Sequence, residues 1–280
     1  MRKLEFLNKL RRMKQSAFAA IGLLLSSLVV GCQNSSAPAV QSEVKTNNTI
    51  VLVHGAWAGG WQWKKVGNYL QADGNTVFRP TMTGLGERVH LMSDSVDLNT
   101  HITDIVNVIE FEDLHDVILV GHSYGGMVIT GVADRIPQRI KRLVYVDAAL
   151  PEDGECIRDV VPRKNALPPT TNGVILPYGG WPVKAGKHLP YDVPQPVKAF
   201  DQKISLYNPA RQKVPAVYIL TVDPGKKPED DAFYKSYARA QKLGWPAWTM
   251  SADHVVNVTH PKELADLIEK AAALNPQSQD

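Results

Sequence analysis

Short apolar runs alternate with amphipathic segments along most of the chain. The runs TIVLVHG, NTVFRP, DVILVG and IKRLVYVDAAL are apolar and rich in residues that favour β-structure, which predicts four strands. Helical spacing is found between them, in GGWQWKKVGNYLQADG, THITDIVNVIEFED and YGGMVITGVADRI. In the second helix the apolar face holds Ile102, Ile105 and Ile109, and we expect Asn99 or Thr100 near its N-cap. Strands that alternate with helices are parallel and covered on both faces, so the pattern predicts an open α/β sheet.

The alternation stops after Pro151. Residues 151–210 hold ten of the 19 prolines and show no clear period, yet they include Tyr178, Trp181, Tyr191 and Phe200. Because such aromatic residues are scarce in a solvated coil, we interpret this segment as a lid inserted after the fourth predicted strand, over the strand ends. The alternation then resumes with VPAVYILTVD, EDDAFYKSYARAQKLG, WPAWTMS and HPKELADLIEKAAAL. Residues 49–276 are therefore expected to form one α/β domain.

The N-terminus has the pattern of an export signal. A basic segment that ends near Lys14 leads into the apolar run AFAAIGLLLSSLVV, which is short for a membrane-spanning helix. The sequence LVVGC resembles a bacterial lipobox, which implies cleavage after residue 31 and a lipid on Cys32. Residues 32–48 read as a flexible linker, and the expected location is the bacterial cell envelope, at the outer membrane or the periplasmic face. An ordinary cleaved leader, an uncleaved anchor and a start at Met13 remain alternatives.

Charge and cysteine content argue against several classes of partner and site. The chain carries a formal net charge of +3, but residues 1–31 hold six of the 31 basic side chains and one of the 28 acidic ones, so the remainder is slightly acidic. No basic face suggests a nucleic-acid partner. Apart from Cys32 the only cysteine is Cys156, which we interpret as a packing residue, so no disulfide framework or cysteine-based zinc site is expected. No metal or organic cofactor is implied.

One motif carries the predicted chemistry. GHSYG, at residues 121–125, fits G-x-S-x-G between a predicted strand and a predicted helix. The turn must be sharp and strained, and side chains at Gly121 and Gly125 would collide there. Such a turn exposes the hydroxyl of Ser123 beside the N-terminus of a helix, so we predict that Ser123 is a nucleophile.

A serine nucleophile needs a base and an acid that orients the base. With the chain order Ser, Asp or Glu, His, the base is predicted to be His254, which follows the last strand. We favour Asp223, at the end of VYILTVD, as the acid. Asp147 is the second candidate because it also ends a strand. Asp230 and Asp231 lie not far downstream of Asp223.

The developing negative charge needs two backbone N–H donors. Tyr124, directly after the nucleophile, is one expected donor, and Ala56 in the glycine-rich stretch HGAWAGGW is the other. His54 is expected to brace this loop by hydrogen bonds. Trp57 and Trp61 either line the pocket or pack the following helix.

The segments LVHGAWAGGWQW, PTMTGLGERVHL, NVIEFEDLHDVILVGHSYGGMVITGVADRIPQRI and ADHVVNVTHPKEL resemble the α/β-hydrolase superfamily. More narrowly, they are similar to the branch of plant methyl esterases of the salicylate-binding type, hydroxynitrile lyases and their bacterial esterase relatives. The resemblance is dense up to Pro151 and loose in the lid. It implies an α/β-hydrolase fold, the triad Ser123, Asp223 and His254, and oxyanion donors at Ala56 and Tyr124. The loop DPGKKPEDD is longer than usual around Asp223.

The lyases of this branch are expected to have a lysine after the catalytic histidine and a threonine in the oxyanion loop. This chain has Val255 and Ala56 instead, which favours an esterase. We therefore predict a serine hydrolase of small carboxylic esters, apolar or aromatic ones in view of the lid. A lyase or an amide or lactone hydrolase on the same triad, and a non-catalytic module that binds a small ligand, are the alternatives. The sequence does not indicate an oligomeric state.

Overall fold

The computed structural model of the protein describes residues 47–161, 170–180 and 186–275. The predicted signal at 1–31, the lipidation site at Cys32, the predicted linker except Asn47 and Asn48, and Trp181 lie outside these residues. No helix in the part of the chain that the structure describes has the length and apolar character needed to cross a bilayer.

The described residues contain nine strands: β1 (Thr49–Val53), β2 (Thr76–Phe78), β3 (Val117–Ser123), β4 (Ile140–Ala148), β5 (Thr170–Thr171), β6 (Val174–Ile175), β7 (Gln195–Pro196), β8 (Ala216–Val222) and β9 (Ala247–Ser251). Six of them form one sheet in the order β2-β1-β3-β4-β8-β9, and every neighbouring pair is parallel. The remaining three form a small antiparallel sheet, β5-β6-β7.

Eight α-helices are described: α1 (Lys64–Ala72), α2 (Leu98–Phe111), α3 (Gly125–Arg135), α4 (Ile157–Val160), α5 (Val197–Asp201), α6 (Tyr234–Lys242), α7 (Val256–Thr259) and α8 (Pro261–Ala273). Short 3₁₀ helices lie at Gly60–Trp63, Gly86–Leu91, Pro137–Arg139, Pro209–Lys213 and Pro228–Asp230. The first and last of these replace the beginnings of two predicted α-helices. The N-cap of the second helix is Asp97, whose carboxylate accepts the Thr100 N–H at 2.8 Å. Thr100 lies near the cap as expected, because its hydroxyl accepts the Asp97 N–H and completes a capping box.

Alternating side chains of the main sheet enter two separate apolar layers. Ile50 and Leu52 of β1 pack with α1 and α8, whereas Val51 and Val53 pack with α2 and α3 on the opposite face. All four are fully buried. Because apolar helices cover both faces, the strands read as continuous apolar runs in the sequence. The predicted α/β fold class is confirmed.

Short elements make up the described part of the predicted lid. They comprise α4, the three strands of the small sheet, α5 and the first residues of the 3₁₀ helix at Pro209–Lys213. Ile157, Ile175 and Phe200 of this segment are buried in the same apolar layer as α2 and α3. These three residues therefore anchor the described part of the lid on the domain.

Candidate active site

Ser123 is the last residue of β3, and only Tyr124 separates it from α3. Its φ of +56° is a left-handed conformation that residues other than glycine seldom adopt. A Cβ atom on Gly121 would lie 2.8 Å from the Gly125 carbonyl oxygen, and one on Gly125 would lie 2.8 Å from the carbonyl oxygens of Val53 and His54. The turn thus has no room for side chains at these two glycines. Their absence lets the chain reverse and present the Ser123 hydroxyl.

His254 reaches Ser123 from the turn between β9 and α7. Its Nε2 lies 3.0 Å from Ser123 Oγ, although the residues are 131 positions apart. The imidazole stacks on Phe233, with ring centroids 5.2 Å apart and an angle of 6° between the planes. His122 Nε2–H donates to the His254 carbonyl oxygen at 2.7 Å. Because burial lowers the pKa of His122 to about 3, the His122 ring that holds this carbonyl is neutral.

The carboxylate that contacts His254 belongs to Asp147. His254 Nδ1–H donates to Asp147 Oδ2 at 2.6 Å, and the Thr221 N–H donates to the other carboxylate oxygen at 3.2 Å. Asp147 is fully buried at the end of β4, and its φ of +44° turns the chain sharply there. The continuous contact Ser123–His254–Asp147 has the geometry of a catalytic triad.

The expectation that Asp223 orients His254 is corrected. Asp223 is exposed at the edge of the cavity, and its carboxylate makes no hydrogen bond with any residue that the structure describes. The single Nδ1–H of His254 already donates to Asp147. The second candidate of the sequence analysis therefore holds the position. Both aspartates end parallel strands between Ser123 and His254 in the chain, so chain order alone does not distinguish them.

Nearby carboxylates change the pKa of His254. Burial alone lowers its pKa, but the hydrogen bond and charge of Asp147, together with the charge of Asp231, outweigh burial and raise the pKa above its usual value. Asp231 is affected in turn: burial and the charge of Asp147 raise its pKa to about 6. A histidine with a raised pKa and a fixed Nδ1–H is suited to accept a proton at Nε2.

Two residues that line the same cavity as Ser123 offer backbone N–H groups. Ala56 lines the cavity in the loop after β1, and Tyr124 lines it directly after Ser123. Neither N–H donates a hydrogen bond to a residue within the described ranges. Unpaired N–H groups beside a nucleophile are the usual components of an oxyanion hole. The braced loop predicted around His54 is present, because His54 bonds both the Gly55 carbonyl and the Met82 N–H.

A cavity of about 670 Å³ opens above these groups. Its aromatic wall consists of Trp57, Tyr178, Phe200 and Phe233. Four carboxylates also border it: Asp192, Asp223, Asp230 and Asp231. The volume and the aromatic wall suit a small ligand with a flat or apolar part.

Trp57 joins this cavity to the lid. Its indole N–H donates to the Ile175 carbonyl at 3.1 Å, its backbone N–H donates to Gln195 Oε1 at 3.1 Å, and its carbonyl accepts the Val193 N–H at 2.8 Å. Of the two readings of Trp57, lining the pocket is the one observed. The lid sheet is thus attached to the loop that carries Ala56.

The sequence analysis named Asp231 only as an aspartate downstream of Asp223, and it assigned no role to Phe233 or to the side chain of Tyr124. Asp231 and Phe233 lie next to each other in space because Asp231 Oδ1 accepts the Phe233 N–H at 2.7 Å. The unusual length of DPGKKPEDD was the available signal that this loop contributes to the site. The Tyr124 hydroxyl left no signal, since its partner His101 lies on a different helix.

Comparisons with known proteins agree with this architecture. The profile of the family described as "Alpha/beta hydrolase family" matches residues 50–267. The carbendazim hydrolyzing esterase of Nocardioides sp. (strain SG-4G) is 39% identical over 247 residues, which cover 80% of this chain and 98% of that protein. Salicylic acid-binding protein 2 of Nicotiana tabacum is 31% identical over 140 residues, 49% of this chain and 54% of that protein.

A solved structure extends the comparison over the whole domain. It is described as an extracellular alpha/beta-hydrolase from a Paenibacillus species that shares structural and functional homology with the tobacco salicylic acid-binding protein 2. It has a TM-score of 0.64, is 26% identical, and the match covers 81% of this chain and 100% of that one. These relatives confirm the predicted resemblance and support the prediction of a carboxylic ester hydrolase.

Proposed function

The chain belongs to the alpha/beta hydrolase family, and on this basis we propose that it hydrolyses small carboxylic esters through Ser123, His254 and Asp147. One observation carries the proposal: Ser123 Oγ lies 3.0 Å from His254 Nε2, whose other ring nitrogen lies 2.6 Å from a buried carboxylate oxygen of Asp147. Hydroxyl, imidazole and carboxylate thereby form one hydrogen-bonded series, the arrangement that activates a serine.

The reaction follows from these contacts. His254 Nε2 takes the Ser123 proton while Oγ attacks the ester carbonyl carbon, and the carbonyl oxygen becomes an oxyanion that accepts from the N–H groups of Ala56 and Tyr124. Collapse of this intermediate breaks the bond to the alcohol, which leaves with the proton from His254. Water then gives a proton to His254 and attacks the acyl-serine carbonyl carbon. The bond between this carbon and Oγ breaks, the acid is released, and His254 returns the proton to Ser123 Oγ. Asp147 stabilises the imidazolium in both halves.

The cavity restricts the size and polarity of the substrate. Its aromatic wall and its volume of about 670 Å³ favour a small ester with an aromatic or apolar part over a peptide. The 39% identical relative is named as a carbendazim hydrolyzing esterase, so we include carbendazim among the candidate substrates. Val255 next to His254 lines the cavity and provides no cation, which weighs against the lyase alternative.

The decisive experiment compares the protein with Ser123→Ala on a panel of p-nitrophenyl acetate, methyl and aryl esters and carbendazim. We expect the variant to lose about a thousandfold or more of kcat/KM on every accepted ester. Ser95→Ala is the matched control, because this exposed serine does not line the cavity, and it should keep full activity. Equal rates for the protein and Ser123→Ala would overturn the proposal, and cyanide release from mandelonitrile would favour a lyase.

We also propose that the domain is held at the bacterial cell envelope by a lipid on Cys32. The support is the sequence alone, a basic and apolar leader that ends in LVVGC before a polar linker. Labelling with radioactive palmitate in a bacterial host is expected for the natural chain and not for Cys32→Ser. Equal labelling of both would exclude the anchor.

A further inference from the structure

Two buried histidines lie outside the proposed triad but next to the proposed oxyanion hole. His54 and His101 are both fully buried, and burial lowers the pKa of each to about 4. Both rings are therefore neutral at ordinary pH. A neutral imidazole has one N–H donor and one acceptor nitrogen, so its partners determine which nitrogen carries the proton.

His54 holds the peptide group of the first oxyanion donor. Its Nδ1 lies 2.8 Å from the Gly55 carbonyl oxygen, which can only accept, so Nδ1 carries the proton. Nε2 then accepts the Met82 N–H at 3.1 Å. The Gly55 carbonyl and the Ala56 N–H belong to one planar peptide unit. A hydrogen bond that holds this carbonyl therefore also sets the direction of the Ala56 N–H.

His101 holds the residue of the second donor through the opposite tautomer. Its Nε2 lies 3.0 Å from the Thr83 carbonyl oxygen and must carry the proton, so Nδ1 accepts from the Tyr124 hydroxyl at 2.9 Å. The Tyr124 ring also stacks on Phe200, with centroids 5.5 Å apart and 9° between the planes. The Tyr124 side chain is thus fixed at its hydroxyl by a hydrogen bond and on one ring face by stacking.

Both histidines bond to one short segment. Met82 and Thr83 are neighbours, and Thr83 is secured in turn by Asp104, which accepts from its N–H at 2.7 Å and from its hydroxyl at 2.9 Å. Buried histidines commonly serve only to satisfy core hydrogen bonds. Here, however, their partners are the peptide and the side chain of the two proposed donors, which come from separate parts of the chain.

We propose that Met82 and Thr83, acting through the neutral rings of His54 and His101, set the spacing of the two N–H groups that receive the oxyanion. This inference rests on the proposed function. His54 and His101 are positioning residues in it, since neither contacts the reacting atoms. Loss of one of these histidine hydrogen bonds displaces a donor N–H group without removing it. Stabilisation of the transition state therefore decreases more than binding of the substrate does.

Tyr124→Phe tests the His101 side, because it removes one hydroxyl and keeps the ring that stacks on Phe200. Tyr145→Phe is the matched control: this hydroxyl is also buried, and it lies 2.8 Å from Thr130 Oγ1, away from the cavity. For Tyr124→Phe we expect kcat for p-nitrophenyl acetate to fall about tenfold with little change in KM. The inhibition constant of a trifluoromethyl ketone, which forms a tetrahedral adduct with serine, should rise by a similar factor.

Tyr145→Phe should lower the free energy of unfolding in urea about as much as Tyr124→Phe does, but it should leave kcat and the inhibition constant unchanged. The same kinetic effect in both variants would overturn the inference and leave the esterase proposal intact. If neither the protein nor Ser123→Ala hydrolyses any ester, the proposed function itself fails.

Two further measurements test the same contacts in other ways. Nitrogen-15 NMR of the imidazoles should show the proton on Nδ1 of His54 and on Nε2 of His101, and the reverse assignment for either would contradict the inference. In His101→Gln with and without Tyr124→Phe, the losses in kcat should not add, since both changes break one contact. Additive losses would show that His101 does not act through Tyr124.

Discussion

At the scale of single residues, the pKa of His254 is set by opposed effects. Burial alone lowers its pKa, but the hydrogen bond and charge of Asp147, together with the charges of Asp231 and Asp253, outweigh burial and raise the pKa. In the proposed reaction, the interactions that raise this pKa also stabilise the imidazolium that forms when His254 takes the Ser123 proton. It also means that the base is free only above the usual pKa of histidine. The activity should therefore rise with pH through a midpoint above about 6.5.

Asp147→Asn removes the charge that raises the pKa of His254. We expect kcat/KM to fall by about a thousandfold or more, because the imidazole loses its preferred tautomer and its stabilising charge. The acid limb of the residual pH profile should move to lower pH. Burial lowers the pKa of His254, and without the charge of Asp147 less remains to raise it. Asp223→Asn is the matched control and should stay within about twofold of the protein at each pH. A severe loss in Asp223→Asn with an active Asp147→Asn would show that the acid had been assigned to the wrong strand.

At the scale of elements, the site depends on where strands end. Ser123 and Asp147 lie at the ends of neighbouring strands, β3 and β4, and both have positive φ. The turn after β3 was predictable because G-x-S-x-G encodes its steric demand locally. The bend at Asp147 has no such local code, since YVDAAL contains no glycine. Only the positive φ that Asp147 adopts in the folded chain marks this second bend.

The order of strands explains how the acid could be misassigned. The sheet order β3-β4-β8-β9 places both β4 and β8 between the strand of Ser123 and the strand that precedes His254. An aspartate at the end of either strand is therefore a reasonable partner for His254. The long loop after β8 leaves Asp223 exposed, whereas the bend at Asp147, near the end of β4, brings its buried carboxylate to His254 Nδ1. This choice depends on contacts between strands and not on the spacing of residues.

At the scale of the whole molecule, the domain contains several buried groups whose protonation is linked to folding. His54, His101 and His122 have pKa values lowered by burial to about 4, 4 and 3, against a usual value of 6.5. Between pH 6.5 and 4 the unfolded chain therefore binds up to three more protons at these sites. Asp231 opposes this, since its pKa is raised to about 6 and its folded form binds one more proton between pH 3.8 and 6. The net difference is about two protons near pH 5.

The free energy of unfolding should consequently fall as the pH falls from 6 to 5, by about 3 kcal/mol. Urea unfolding at these two values measures the change. His101→Gln should reduce the slope by about one proton, because it removes one of the buried neutral histidines. Stability that does not vary between pH 5 and 6 would contradict the neutral state of the buried histidines.

The sequence by itself determined the alternation of strands and helices, the family, the strained turn at Ser123 and the histidine that reaches it. These features are encoded locally, in hydrophobic periodicity and in glycines whose spacing a tight turn requires. Only the tertiary structure decided between Asp147 and Asp223 and brought Asp231 and Phe233 to His254. It also linked Gly55 and Tyr124, through His54 and His101, to the segment of Met82 and Thr83. Such pairings depend on sheet order, burial and the direction of single hydrogen bonds, which arise when distant parts of the chain pack together.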